Sequence, residues 1–324
     1  MASVICTLFE NHYHYGVAVL TNSLYKQGYR GAVYAGYRGS LPEWAKASIP
    51  VDIIGWPGAR LLQVADGLRL YFMPLNTDYH LTNYKPDFML RLMEGPAKDA
   101  SAIFYLDPDI VVTYQWSFFD EWVSCGIALC EDVNSPLPEF NPRRVAWRKY
   151  FGERGFLLRF KNEIYVNGGF AGVSKRDLGF LEKWQNLQEN MSPLIGGLNR
   201  SSLNGTPLPE ALRGAFSPFG KTDQDALNSA VEAWIGPVSY IGKEAMGLKP
   251  GECLLPHALG QPKPWKIKPI VQALNGFSPR QVDKDFWQNA DGPLSVYPGR
   301  HIQRQQFSMK LASLIGRFYA RPIN

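Results

Sequence analysis

AIFYLDPDIVV, residues 102–112, opens with five apolar or aromatic residues and then breaks at Asp107, Pro108 and Asp109. A short apolar run of this kind fits a strand buried in a sheet, and proline interrupts the hydrogen-bond ladder that such a strand needs. In open α/β sheets ligands gather beyond the carboxyl ends of strands, so two carboxylates placed there can face one point. A hard divalent ion takes oxygen ligands and is often held by one or two carboxylates together with substrate phosphates. Aspartate and proline are also turn formers, so the bare tripeptide reads equally well as a solvated turn.

The surroundings of that stretch repeat its pattern. Residues 4–8, 32–37 (AVYAGY) and 51–56 (VDIIGW) are short apolar runs, and GIALCED (126–132) and EIYVNGGFAGV (163–173) add two more strand candidates. Between them lie helical spacings: Val17, Leu20 and Leu24; Phe88, Leu92 and Met93 behind Pro86 at a first-turn position; RDLGFLEKWQNLQEN (176–190); and TDQDALNSAVEAW (222–234) with Thr222 as N-cap. Alternation of this kind predicts an α/β fold with a mixed, mostly parallel, Rossmann-like sheet flanked by helices. Residues 191–221 carry little periodicity and read as a lid, a binding loop or a disordered segment.

Composition narrows the class. At 324 residues with 45% hydrophobic and 19% charged, the chain has enough apolar surface for a large core. No window stays apolar for the eighteen residues of a membrane span, and the first residues lack the pattern of a secretion signal, so a cytoplasmic protein is expected. Cys6, Cys125, Cys130 and Cys253 form no CxxC pattern and read as free thiols of a reducing compartment. The net charge is +5, and Arg300, Arg304, Lys310, Arg317 and Arg321 follow the last acid, Asp291. These five account for the whole excess, which removes the case for a basic nucleic-acid groove through the body.

Several other residues can carry chemistry. In LPHALGQPKPW (255–265), three prolines and Gly260 stiffen a loop bearing His257 and Lys263. Neutral imidazole is a metal ligand and an ammonium can neutralise phosphate, while a packed histidine and a surface lysine are the plain alternatives. Asp223 and Asp225, on either side of Gln224, open a helix, where acids are favoured with or without a function. Asn167, Gly168 and Gly169 end a strand, where glycines mark either close approach of a ligand or a bulge.

Taken in order, FYLDPDIVV, NGGFAGV, TDQDALN and HALGQPKPW resemble glycosyltransferase family 8 and its relatives of the GT-A fold, over about residues 1 to 270. The resemblance implies transfer of a hexose from a nucleotide diphosphate sugar, usually UDP, with manganese or magnesium as the ion and retention of anomeric configuration. It implies Asp107, Asp109 and His257 as metal ligands, with Gly260 and Lys263 on the diphosphate. Gln224 then lies at the sugar's reactive face, Asp223, Asn167, Gly168 and Gly169 lie around the sugar, and Thr7, Asn11 and Lys85 contact the donor. Asn167-Gly168-Gly169 departs from the commoner Asn-Ala-Gly, and Lys85 stands where arginine is expected. The acceptor would be a glycan, free, lipid-linked or protein-linked. The alternative is a binding protein of the same fold for sugar nucleotides or glycans, without turnover.

A catalytic domain over residues 1–275 and a C-terminal extension over 276–324 are expected. In the extension, Phe307, Leu311, Leu314, Ile315 and Phe318 share one helical face beside Lys310, Arg317 and Arg321. Such a helix suits either an anionic membrane surface, through residues 301–324 at the inner face of a membrane, or docking on the body.

Overall fold

The computed structural model describes residues 3–203, 206–214 and 216–319, so Arg321 lies outside the described residues. Among the described residues nine strands form one sheet: β1 (Val4–Glu10), β2 (Ala32–Arg38), β3 (Ile49–Pro50), β4 (Arg60–Ala65), β5 (Leu68–Pro74), β6 (Ala102–Leu106), β7 (Ile127–Glu131), β8 (Val166–Ser174) and β9 (Val238–Ile241), in the order β3-β4-β5-β2-β1-β6-β8-β7-β9. The central run β5-β2-β1-β6 is parallel, β8 runs antiparallel between β6 and β7, and β9 pairs parallel with β7. This is the mixed α/β sheet expected from the alternating pattern. Every residue of β8 is buried, as a strand covered on both faces requires.

Helices cover both faces of the sheet: α1 (His14–Lys26), α2 (Lys85–Glu94), α3 (Trp116–Trp122), α4 (Pro142–Gly152), α5 (Gly179–Ile195) and α6 (Thr222–Ala233). Two apolar clusters result. One holds Phe88, Trp147, Trp184 and Leu227, and the other Ile5, Leu20, Phe104 and Phe170. α7 (Pro269–Leu274), α8 (Gln281–Asn289) and α9 (Gly299–Tyr319) form the C-terminal part, with a third cluster around Phe286, Trp287 and Met309. Asn22 of α1 ties this part down, donating to the carbonyls of Asn289 and Leu294 and accepting from Leu294 N–H. No helix among the described residues is long and apolar enough to cross a membrane, and all four cysteines are free.

Two local expectations are corrected. Residues 51–56 are not a strand: Gly55 and Gly58 adopt φ of +79° and +80° around Pro57, and Ile54 is 95% exposed. The pairing partners of β2 and β3 come instead from the β4–β5 hairpin, joined through Asp66 and Gly67, a tight-turn dipeptide. Thr222 is not the N-cap of α6 but its first residue, with Oγ1 buried and unpartnered. Asp225 does the capping, reaching back from inside the first turn to accept from Lys221 N–H at 2.8 Å.

Candidate active site

The carboxyl ends of β1, β6 and β7 and the opening of β8 meet at one edge of the sheet, above a cavity of about 370 Å³. β6 delivers the Asp107-Pro108-Asp109 turn, which is closed by Ile110 N–H donating to the Asp107 carbonyl at 3.0 Å. Asp107 N–H donates to Gly169 O at 2.8 Å, extending the β6–β8 ladder into the site. α1 presses on the turn from behind: a Cβ on Gly16 would lie 2.1 Å from the Pro108 carbonyl oxygen, so only glycine fits there.

His257 arrives from the far end of the chain by backbone pairing. Val111 N–H donates to Pro256 O, Thr113 N–H to Leu254 O and Ala258 N–H to Asp109 O, and Ile110 and His257 form an antiparallel bridge. The imidazole Nε2 stands 3.3 Å from Asp109 Oδ1 and 3.7 Å from Asp107 Oδ2, and the donor atoms of Asp107, Asp109 and His257 all lie within 4.8 Å of one another. Ligands of one divalent ion sit roughly 3 Å apart when each bond is about 2.1 Å, so small side-chain shifts let all three reach a common centre. Two carboxylate oxygens and an imidazole nitrogen form a donor set suited to a divalent metal. Gly169 makes room for the ring, since a Cβ there would lie 2.5 Å from His257 Cε1. The close approach that glycine permits is thus made by the protein's own imidazole.

Two buried lysines balance the acids. Lys263 Nζ bonds Asp109 Oδ2 at 2.5 Å and the Ala258 carbonyl at 2.8 Å. Burial pushes the Asp109 carboxyl up, but His257 and Lys263 more than offset this and hold it well below the usual carboxylate range. Lys85, 1% exposed, bonds Gly168 O at 2.7 Å, Asp223 Oδ2 at 3.1 Å and Asp107 Oδ1 at 3.2 Å. All three ammonium protons are therefore directed at protein atoms. Burial lowers the Lys85 pKa and the two aspartates raise it further, leaving it net raised. Tyr105 donates to Asp107 Oδ1 at 2.8 Å, and its own hydroxyl is pushed far up by burial and that carboxylate. Tyr13, beside Lys263, is raised to about 12 by burial, then by Asp109 and Asp107.

The remaining anticipated residues divide into two groups. Asn167, Gly168, Gly169, Asp223, Gln224, Gly260 and Lys263 line the cavity with Lys85, Asp107, Asp109 and His257. Gln224 Oε1 accepts from Gly168 N–H at 3.2 Å, while its Nε2 is buried without a partner and offers two unused donor protons. Gly260 turns at φ +72° with open space where a Cβ would be. Thr7 and Asn11 are not among the lining residues: Thr7 is fully buried in β1, and Asn11, exposed at φ +53°, makes the left-handed turn out of that strand. Trp265 packs in the third cluster and donates to His12 Nδ1 at 2.9 Å.

Asp132 also lines the cavity and was not singled out from sequence. It is 2% exposed at the end of β7, accepting from Asn167 Nδ2 at 2.6 Å and from Asn134 N–H at 2.9 Å. An acid closing an apolar run, as in GIALCED, is the same signal that marks Asp107. His80, another lining residue, has its pKa lowered chiefly by burial.

Among solved structures, the apo form of the bifunctional glycosyltransferase WbbM matches 94% of this chain at 10% identity, with a TM-score of 0.51; the chain spans 52% of that protein's structure. The glycosyltransferase GlyE of Streptococcus pneumoniae TIGR4 matches at 16% identity and TM-score 0.49, over 96% of this chain and 64% of its own. The galactosyltransferase LgtC, in complex with donor and acceptor sugar analogues, matches at 14% identity and TM-score 0.49, over 93% of this chain and 99% of its own. No protein-family model and no curated protein matches the sequence. The fold of the chain is thus shared with a glycosyltransferase structure about twice its length, at an identity where likeness speaks for architecture alone.

Proposed function

We propose that the chain is a glycosyltransferase that moves a hexose from a UDP-sugar to a glycan acceptor, with retention at the anomeric carbon. The observation that carries this reading is the convergence of Asp107, Asp109 and His257 within 4.8 Å beside Lys263, at the carboxyl edge of the sheet. When bound, a manganese or magnesium ion would supply Lewis-acid stabilisation of the charge that builds on the departing diphosphate. Lys263 adds a cation at the same place, and the open turn at Gly260 leaves backbone accessible to phosphate oxygens. The free amide protons of Gln224 suit a sugar hydroxyl or ring oxygen. An amide is a poor nucleophile, so the acceptor hydroxyl attacks from the face that the diphosphate leaves, and its proton passes to a departing phosphate oxygen. Asn167 and Asp223, fixed by Asp132 and Lys85, border the space for the sugar.

The test is UDP release from a panel of UDP-sugars with manganese, with and without EDTA and without added acceptor. Slow release that EDTA abolishes supports the transferase. Binding of a UDP-sugar without any release supports a binding protein of the same fold, and equal release by Asp109→Ala removes the metal site from the argument.

A further inference from the structure

On the sugar-transfer reading above, we infer that Lys221 and the first turn of α6 form a subsite for an acceptor that carries an anionic group, a carboxylate or a phosphate, near its attacking hydroxyl. Lys221 is the N-cap of α6, is half-buried and lines the cavity. An N-cap side chain usually offers an oxygen to the first helical N–H groups, and lysine has none to offer. The N–H groups of Thr222, Asp223 and Gln224 accordingly find no acceptor among the described residues. In the same turn Thr222 Oγ1 and Gln224 Nε2 are buried without a partner. A cation at this end also opposes the helix dipole, which favours negative charge there. Lysine therefore costs the isolated helix stability, and an anion bound at the turn would satisfy the ammonium and the free N–H groups together.

The other charges of the cavity wall have partners. Lys263 is held by Asp109, Lys85 by Asp107 and Asp223, and Glu10 by Arg38 at 2.8 Å. Asp132 accepts from Asn167 and Asn134, and Asp225, behind the wall, accepts from the Tyr165 hydroxyl and the Lys221 N–H. No carboxylate of the described residues pairs with Lys221 Nζ. The position of this cation assigns it to the acceptor. The proposed diphosphate site is at Lys263, and Lys85 stands between the Asp107 cluster and α6, so Lys221 serves a different part of the substrate pair. The donor sugar is bordered by the buried Asn167 and Asp223, whereas Val133, 49% exposed, and Leu203, 67% exposed, line the cavity where it opens to solvent, the side from which an acceptor enters.

The experiment compares methyl glucoside, methyl glucuronide and glucose 6-phosphate as acceptors in metal-dependent UDP release, with the UDP-sugar that the donor panel selects. The anionic acceptors should half-saturate at a concentration about tenfold lower than the neutral one, and the better of the two distinguishes a carboxylate from a phosphate. Lys221→Met should abolish the difference, Lys221→Arg should keep it, and Lys221→Glu should move the preference to glucosamine. Titration of the backbone amide NMR spectrum with the same compounds, in the presence of UDP and magnesium, reads the subsite without turnover: the N–H signals of Thr222, Asp223 and Gln224 should shift with the anionic compounds and not with methyl glucoside. Equal half-saturation by neutral and anionic acceptors, a preference that survives Lys221→Met, or a preference that follows a uronate in the donor instead of the acceptor would each overturn the inference. Absence of UDP release from every donor would instead defeat the transferase reading, and the amide shifts would still decide for or against the subsite.

Discussion

Replacing Lys85 by methionine tests the electrostatic frame of the site. Methionine keeps most of the aliphatic length, so the change removes the ammonium and leaves Asp107, Asp223 and the Gly168 carbonyl without their common donor. At an effective dielectric near 20, an ion pair at 3.2 Å is worth about 5 kcal/mol before desolvation. Desolvation of the lysine cancels much of this in the wild type, but the variant keeps the acids where they are, and stranding a buried charge costs about 3–5 kcal/mol. Asp107 is 22% exposed and water screens its share, so the lower figure, about 3 kcal/mol, is expected. Urea unfolding in EDTA measures it. Manganese should then recover about 1 kcal/mol or more, because an ion neutralises the acid that Lys85 no longer faces. A loss below about 1 kcal/mol in EDTA would show that the lysine does not hold the aspartates, and the reasoning about its three bonds would fail.

Three further outcomes follow from the same geometry. Gly169→Ala places a methyl 2.5 Å from the imidazole and should weaken manganese binding about tenfold while the chain stays folded, as read by paramagnetic titration and circular dichroism. Lys263→Ala should lower kcat by about 10²- to 10³-fold without weakening manganese binding, since the cation competing for Asp109 is gone; a parallel loss of ion affinity would contradict this. Asp225, raised to about 7 from 3.8 chiefly by burial, holds its proton more tightly in the folded chain. Its contribution is therefore full below about pH 4 and is lost as pH rises to about 7, a swing of at most about 4 kcal/mol. Asp225→Asn should flatten that slope in urea midpoints taken across the window, and an unchanged slope would assign it to another group.

Sequence legibility followed the kind of interaction involved. The central strands and the helices behind them were readable because apolar period and length determine them locally, as in residues 102–106 and 222–233. Residues 51–56 misled because an apolar run takes no account of Gly55 and Gly58, whose positive φ turns the chain outward. Asp107, Asp109 and His257 were visible as metal-competent residue types, but their convergence depends on a backbone ladder between residues 109–113 and 254–258, which no local pattern encodes. Lys85 was expected to face a donor; three protein acceptors occupy it, a satisfaction that only tertiary contact reveals. Asp132 was legible in principle, as a strand-ending acid, and was missed because nothing beside it in the chain repeats the Asp-Pro-Asp signature.

The ladder that fastens residues 254–258 to 109–113 has a kinetic consequence. Imidazole and carboxylates, nearly 150 positions apart in the chain, are gathered by the protein's own backbone bonds, so under the proposed function cation capture would need no loop ordering at the moment of encounter. Uptake should be quick and indifferent to nucleotide concentration, and the resting protein should load its ion first and meet the diphosphate second.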